Sequence, residues 1–259
     1  MKVPLSVIII TKNEESRIKD CINSVKDWAD EVIVVDDYSQ DKTRDIACSL
    51  GAKVFLRRMD IEGRHRNWAN SQARNEWILS LDADERVTPQ LKEEISQVLK
   101  NPQFDAYTIP RKNFFHNYWI RYSGQYPSSQ LKLFKKDKLK WEEAEVHPRA
   151  FMDSNPGRLK NPLLHFTYKD FSDMLYKLNK QTTLEAIKWA KISEHNPQKA
   201  SYKMNLIHAL WRTLDRFIRV FIVKKGYKDG FIGFIIALNS SLYQIISYIK
   251  YWEIKKFRK

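Results

Sequence analysis

Three short apolar runs, each opening into a polar cluster, constrain this chain more than any other feature. Val7-Ile8-Ile9-Ile10 runs into Thr11-Lys12-Asn13-Glu14, Glu31-Val32-Ile33-Val34-Val35 into Asp36-Asp37, and Trp77-Ile78-Leu79-Ser80-Leu81 into Asp82-Ala83-Asp84-Glu85. Runs this compact and β-branched predict strands buried on both faces, the habit of a parallel sheet. The segments between them carry helix signals. Asn13 caps a helix to about Val25, Ser39 or Asp41 caps Lys42 to Leu50, and Gly51 stops it. Ala52 to Leu56 adds a third strand and Arg66 to Asn75 a third helix. Strand alternating with helix predicts an α/β fold, and in open parallel sheets ligands bind beyond the carboxyl ends of the strands. The three polar clusters are therefore expected at one crevice.

Asp82 and Asp84 set two carboxylates two residues apart in a turn, within reach of a hard divalent ion such as magnesium or manganese that also takes diphosphate oxygens. Such a pair is common in solvated acidic turns. Its place after an apolar strand, as the last of three polar strand ends in order, favours a site. A carboxylate at the end of the second strand, Asp36 or Asp37, can accept the ring N–H of a uracil base. Further on, Thr88 caps and Pro89 opens a helix that stops at Asn101-Pro102, and Asp105 to Pro110 reads as a fifth strand.

Between Arg111 and Leu164 the pattern breaks into short apolar pieces, prolines and aromatics, the look of loops that meet a second substrate. From Lys169 onward it is helical, over about 171–195, 203–225 and 228–253. The expected organisation is a catalytic domain over 1–168, with a donor half 1–110 and an acceptor half 111–168, followed by a helical basic amphipathic tail over 169–259. Of the net charge of +14, residues 203–259 carry +9. Arg212, Arg216 and Arg219 share one helical face, and Leu210, Leu214, Phe217 and Phe221 another, as suits an anionic membrane surface. Phe231 to Ile249, 19 residues without a charge, has Ser240, Gln244 and Ser247 on one face. That two-sidedness argues against spanning; the helix lies on the membrane, packs on the domain or pairs with a second copy as a homo-oligomer. Cys21 and Cys48 lie in helical segments without CxxC or histidine context, which excludes a disulfide framework or zinc site and fits a reducing cytoplasm.

These motifs resemble the inverting glycosyltransferases of family 2, of GT-A fold. The matching residues are the first strand with Thr11-Lys12-Asn13-Glu14, Val35-Asp36-Asp37-Tyr38-Ser39 with Asp41 and Thr43, Arg66-Asn67 with Ala69 and Ala73, and Trp77 through Glu85. Beyond them, Gln125-Tyr126-Pro127, Gln130, Leu133-Phe134, Val146-His147, Leu164-His165 and Lys225 to Gly230 are similar to bacterial lipopolysaccharide-core β-glucosyltransferases. The resemblance implies a Rossmann-like, mostly parallel sheet with flanking helices, plus a C-terminal helical membrane-associating region. It implies transfer of a hexose such as glucose from a UDP-sugar to a lipid-linked saccharide such as lipopolysaccharide core, by a metal-assisted single displacement at the inner face of the plasma membrane. Thr11, Asn13, Glu14, Asp36, Asp37, Arg66 and Asp82 are then expected at the donor, and Asp84, Asp82 and His147 at the divalent metal. Glu85, Tyr126, Gln130 and His165 are expected on the acceptor side.

The catalytic base is where the chain departs from the pattern. Relatives often carry Asp after the Tyr-Pro pair and Glu after the Val-His pair, whereas Ser128 and Pro148 stand here, and neither can take a proton. Glu142, Glu143 and Glu145 are the nearby substitutes. Glu145 is favoured because it shares a face with His147 if the segment is extended. Two other classes stand as alternatives. Nucleotidyl transfer usually has a Gly-rich phosphate loop after its first strand, and Thr11 to Glu14 contains no glycine. A non-enzymatic basic module for nucleic acid or membrane would use the charge, but its concentration in the tail and the acids at the strand ends disfavour a nucleic-acid groove.

Overall fold

The structure, a computed structural model, describes residues 2–143 and 148–257. The chain forms two compact units, Met1–Lys112 with Pro127–Phe166, and Asn113–Tyr126 with Thr167–Lys259. Residues 113–126 group with the helical residues and not with the rest of the sheet-bearing part.

In the first unit the chain runs β1 (Val3–Thr11), α1 (Ile18–Asn23), β2 (Ala29–Asp36), α2 (Thr43–Ser49), β3 (Lys53–Leu56), α3 (Glu62–Ser71), β4 (Trp77–Asp82), β5 (Glu85–Val87), α4 (Pro89–Val98) and β6 (Ala106–Ile109). β7 (Arg111–Phe115) and β8 (Tyr118–Trp119) lead into the second unit. The chain then returns as β9 (Gln130–Lys135), β10 (Lys140–Trp141), β11 (Ala150–Phe151), β12 (Gly157–Arg158) and the start of β13 (Leu163–Tyr168). Seven strands form one sheet in the order β12-β6-β9-β4-β1-β2-β3. β9 is antiparallel to both neighbours and the other pairs are parallel. This is the GT-A, Rossmann-like sheet expected.

The apolar runs owe their lack of alternation to cover on both faces. Leu5, Val7 and Ile9 pack with Ile18 and Ile22 of α1 and with Leu91 and Ile95 of α4. Ile8, Ile33, Val35 and Ile78 pack on the opposite side with Ala69, Ala73 and Phe134. Each buried aliphatic side chain of this kind contributes about 1.5–3 kcal/mol. The register aligns the strand ends: Thr11 lies opposite Asp36, and Ile10 opposite Asp82. Thr88 accepts a hydrogen bond from the Leu91 N–H at 3.2 Å with Pro89 in the first turn, so α4 starts where expected. The first helix does not. α1 begins only at Ile18, and Asn13, at φ 55°, accepts the Gln40 N–H of the next loop at 2.8 Å instead of capping it.

The second unit contains α5 (Phe171–His195), α6 (Pro197–Lys203), α7 (Leu206–Ile218) and α8 (Gly230–Phe257). Asp170 and Asn205 cap α5 and α7 through the N–H groups of Asp173 and His208. Ile120, Met174, Val220, Ile236 and Ala237 form its core. The buried Asp229 carboxylate explains why 113–126 belongs here: it accepts the Tyr122 N–H at 2.8 Å and the Tyr118 hydroxyl at 3.2 Å. The apolar positions of α7 divide. Phe217 packs edge-on against Phe234, whereas Ile207, Trp211 and Leu214 stand 81, 59 and 62 % exposed. Gly226–Phe257 is by length and composition apolar enough to cross a membrane.

Candidate active site

The turn after β4 is held by a buried ionic clamp. Glu85, fully buried, accepts the Asp82 backbone N–H at 3.0 Å, so its carboxylate closes the turn over Ala83 and Asp84. Lys132 reaches the same carboxylate at 2.6 Å and Asp82 Oδ2 at 2.8 Å. Arg111 approaches Glu85 from another side at 3.4 Å. Lys132 arrives because β9 runs antiparallel beside β4, with Leu133 opposite Leu79. Burial opposes the charge on Lys132, but Asp82 and Glu85 outweigh it and raise its pKa. Burial likewise acts to raise the Asp82 carboxyl, yet Lys132 and then Arg66 hold it far below the usual carboxylate range. Cys21 packs beneath, its sulfur 3.5 Å from the Asp82 carbonyl oxygen, and burial pushes its thiol far up, so it stays neutral.

Lys132 and Arg111 are absent from the residues that the sequence singles out. The one signal was a lysine inside the apolar stretch Leu131-Lys132-Leu133-Phe134, a pattern that a solvent-facing strand position also produces. Glu85, expected on the acceptor side, belongs under the turn instead, because a carboxylate with no exposed surface and three donors is a structural anchor.

His165 comes to Asp84 through strand pairing. β13 pairs antiparallel with β5, His165 opposite Glu85, and the Phe166 N–H donates to the Asp84 carbonyl at 2.9 Å. His165 Nε2 then lies 3.5 Å from Asp84 Oδ2. Among the described residues, no three His, Cys, Asp or Glu side chains converge as a ready cation site. Two protein donors, Asp84 and His165, fit magnesium or manganese that completes its shell with diphosphate oxygens and water. Asp82 Oδ2 faces the Lys132 ammonium. His147 lies outside the described residues.

At the ends of β1 and β2, Asp36 is buried and accepts both the N–H and the hydroxyl of Ser39. Asp37 bonds the Lys12 ammonium at 2.7 Å and the Met59 N–H at 3.1 Å, and these outweigh burial to hold its pKa below the usual range. Thr11 is buried, and its hydroxyl has no hydrogen-bond partner among the described residues. The Glu14 N–H donates to Thr43 at 2.8 Å, tying the first polar end to the second.

α3 fixes the next wall. Asn67 and Trp141 exchange hydrogen bonds at 2.8 Å each, so α3 is fastened to β10. The Arg66 guanidinium lies over the Trp141 ring, bonds Glu62 at 3.0 Å and stands 3.8 Å from Asp82. Gly63 is required here, because a Cβ would run into the Glu142 carbonyl. Of the candidate bases, Glu142 accepts the Arg149 N–H at 3.2 Å, and Glu143 pairs with Arg64 at 3.0 Å. Glu145 lies outside the described residues. Gln130 is exposed at the start of β9, and Tyr126, in the second unit, packs edge-on against Trp119.

Residues 6–153 match Glycosyl transferase family 2. Over 98% of its length the chain is 28% identical to an uncharacterized glycosyltransferase of Rickettsia bellii, covering 86% of that protein. Over 97% it is 25% identical to the lipopolysaccharide core biosynthesis glycosyltransferase LpsC of Rhizobium meliloti, covering 93% of it. It aligns with S. aureus TarS 1-349 in complex with UDP-GlcNAc at a TM-score of 0.49 and 15% identity, over 99% of this chain and 92% of that one. The family match takes in most of β1, the Asp82–Asp84 turn and the strand that carries Lys132, and the chain belongs to glycosyltransferase family 2, whose members draw on nucleotide-sugars.

Proposed function

We propose that this glycosyltransferase moves a hexose such as glucose, with inversion, from a UDP-sugar to a lipid-linked saccharide of the lipopolysaccharide-core kind. One observation carries the donor reading: the clamped Asp82–Asp84 turn lies in register with the polar ends of β1 and β2. Asp37 is the carboxylate for the uracil N–H, its backbone N–H bonded to the Thr11 carbonyl at 2.9 Å. Arg66, already among acids, faces the diphosphate. Asp84 and His165 hold the divalent ion, which when bound neutralises charge on the departing diphosphate. The acceptor oxygen bonds the anomeric carbon as the bond from that carbon to the diphosphate oxygen breaks, and the hydroxyl proton passes to a carboxylate. Glu145 is the first candidate for that base, with Glu142 and Glu143 after it. The name of the Rhizobium meliloti relative supports the acceptor class.

The second unit supports work at the cytoplasmic face of a membrane. The bare apolar residues of α7 are flanked by exposed Arg212, Arg216 and Arg219, as in helices that lie in an anionic interface. Calorimetry against a panel of nucleotide-sugars, with and without manganese, tests the donor site. The expected result is manganese-dependent binding of a UDP-sugar that Asp84→Ala abolishes. Metal-independent binding, or unchanged binding by a folded Asp84→Ala protein, overturns it. Near-normal turnover of Glu145→Gln removes Glu145 as the base.

A further inference from the structure

We infer that the helical unit seats one alkyl chain of an anionic bilayer phospholipid in the groove beside the first turns of α5 and α8. The groove measures about 980 Å³ and is walled by Phe115, Tyr118, Phe171, Phe231, Phe234 and Ile235. That is the upper end of the roughly 300–1,000 Å³ of ordinary small-molecule sites. Two of its rings are bare in the free protein, Phe171 at 50 % and Phe231 at 73 % exposure.

The chemistry of the wall selects the occupant. An extended peptide laid in a groove this apolar would leave N–H and C=O groups without partners, a large penalty, whereas a hydrocarbon chain loses no hydrogen bond on entry. The polar side chains of the lining, His116, Asn117, Lys169 and Asp170, are all exposed. Among them the Asp170 carboxylate is occupied in capping α5, and the His116 ring is engaged by the Lys169 carbonyl at 3.1 Å. Lys169 stands beside Asp170 in the lining, and residues 203–259 give the unit as a whole an excess of +9. An anionic headgroup with its chain in the groove satisfies both features. The groove also adjoins the packed side of α7: Phe231 stacks on Phe234 at 6.1 Å, and Phe234 meets Phe217 at 5.8 Å. A protein resting with α7 in the interface therefore has a slot into which one lipid chain can turn.

The inference is independent of the transfer chemistry and is tested apart from it. Calorimetry of the full-length protein with short-chain phosphatidylglycerols, kept below their micelle concentrations, reads the groove directly. Each methylene buried in the groove tightens binding about fourfold, so the dioctanoyl lipid binds roughly fifteenfold tighter than the dihexanoyl one when one chain is seated. Phosphatidylcholine of equal length binds more weakly at low salt. Phe171→Glu and Phe231→Glu place an acid in the first turn of α5 and α8, where the helix dipole favours it, so both variants fold. Each is expected to weaken lipid binding at least tenfold while donor binding stays at the wild-type level. Affinity that ignores chain length, or variants that bind lipid as the wild type does, would overturn the inference. So would a concentration-dependent dimer that Phe231→Glu dissolves and lipid does not, since the groove then belongs to a second copy.

Discussion

Replacing Lys132 by Met isolates what the clamp contributes. The substitution keeps the length and apolar stem of the side chain but removes the ammonium that lies 2.6 Å from Glu85 and 2.8 Å from Asp82. Glu85 is then a fully buried carboxylate left with Arg111 at 3.4 Å and one backbone N–H at 3.0 Å. Removing one partner of a buried pair costs about 3–5 kcal/mol, and the surviving partners put the expected loss at the lower end, about 3 kcal/mol. Equilibrium urea unfolding measures it. Adding Glu85→Leu to Lys132→Met removes the stranded charge along with its partner, so the double variant should recover most of that loss, a coupling that a cycle of the four proteins isolates. Donor affinity should fall in both, because Asp82 and the turn lose their fixed geometry, and Lys132→Arg should restore part of it. A Lys132→Met protein that loses under about 1 kcal/mol and binds donor normally would refute the clamp, since that is no more than an exposed ion pair is worth.

Three other outcomes follow from the same geometry. His65 is fully buried, and burial, then the neighbouring Arg57, depress its pKa. Its stabilising effect is therefore fully present above the unfolded value of about 6.5 and lost as pH falls through the folded value; urea unfolding at about pH 7.5 and 5.5 should show that loss in the wild type and a smaller one in His65→Gln. Gly63→Ala should cost about 1–3 kcal/mol by overpacking α3 on the Glu142 carbonyl, and a neutral result would mean the loop gives way freely. His165→Ala should weaken manganese-dependent donor binding while leaving the fold intact by circular dichroism; an unchanged manganese titration would take His165 out of the metal shell.

The donor half was legible because its signals are local. A strand covered on both faces must be apolar throughout, so Val7 to Ile10, Val32 to Val35 and Trp77 to Leu81 announce themselves, and parallel register then brings Thr11, Asp36 and Asp82 to one edge. Asn67 could be noticed but not explained, since its partner Trp141 lies 74 residues on in sequence. The clamp was hidden for the same reason. Nothing near Lys132 reveals that β9 inserts antiparallel between β4 and β6, and without that topology a lysine in an apolar strand reads as ordinary alternation.

The helical unit shows the other limit of sequence periodicity. Spacing identifies an apolar face on α7, but a face is defined by what covers it. Phe217 and Phe221 are claimed by Phe234, while Leu210 and Leu214 on the same predicted face are left 53 and 62 % exposed. α8 departs further: Ser241 and Ser247 are buried while Phe231 and Ile249 are more than half exposed. α8 buries these serines beside Ile236 and Ala237 of the core and leaves large apolar residues outward, a mixed arrangement unlike the one water selects. Small residues let helices approach closely, and outward apolar side chains carry no penalty where they face hydrocarbon. On the proposed reading of the helical unit as membrane-associated, an Ile207→Asp, Trp211→Asp, Leu214→Asp protein should stay soluble and folded yet fail to float with anionic liposomes. Flotation equal to the wild type would mean that α7 never touches the bilayer.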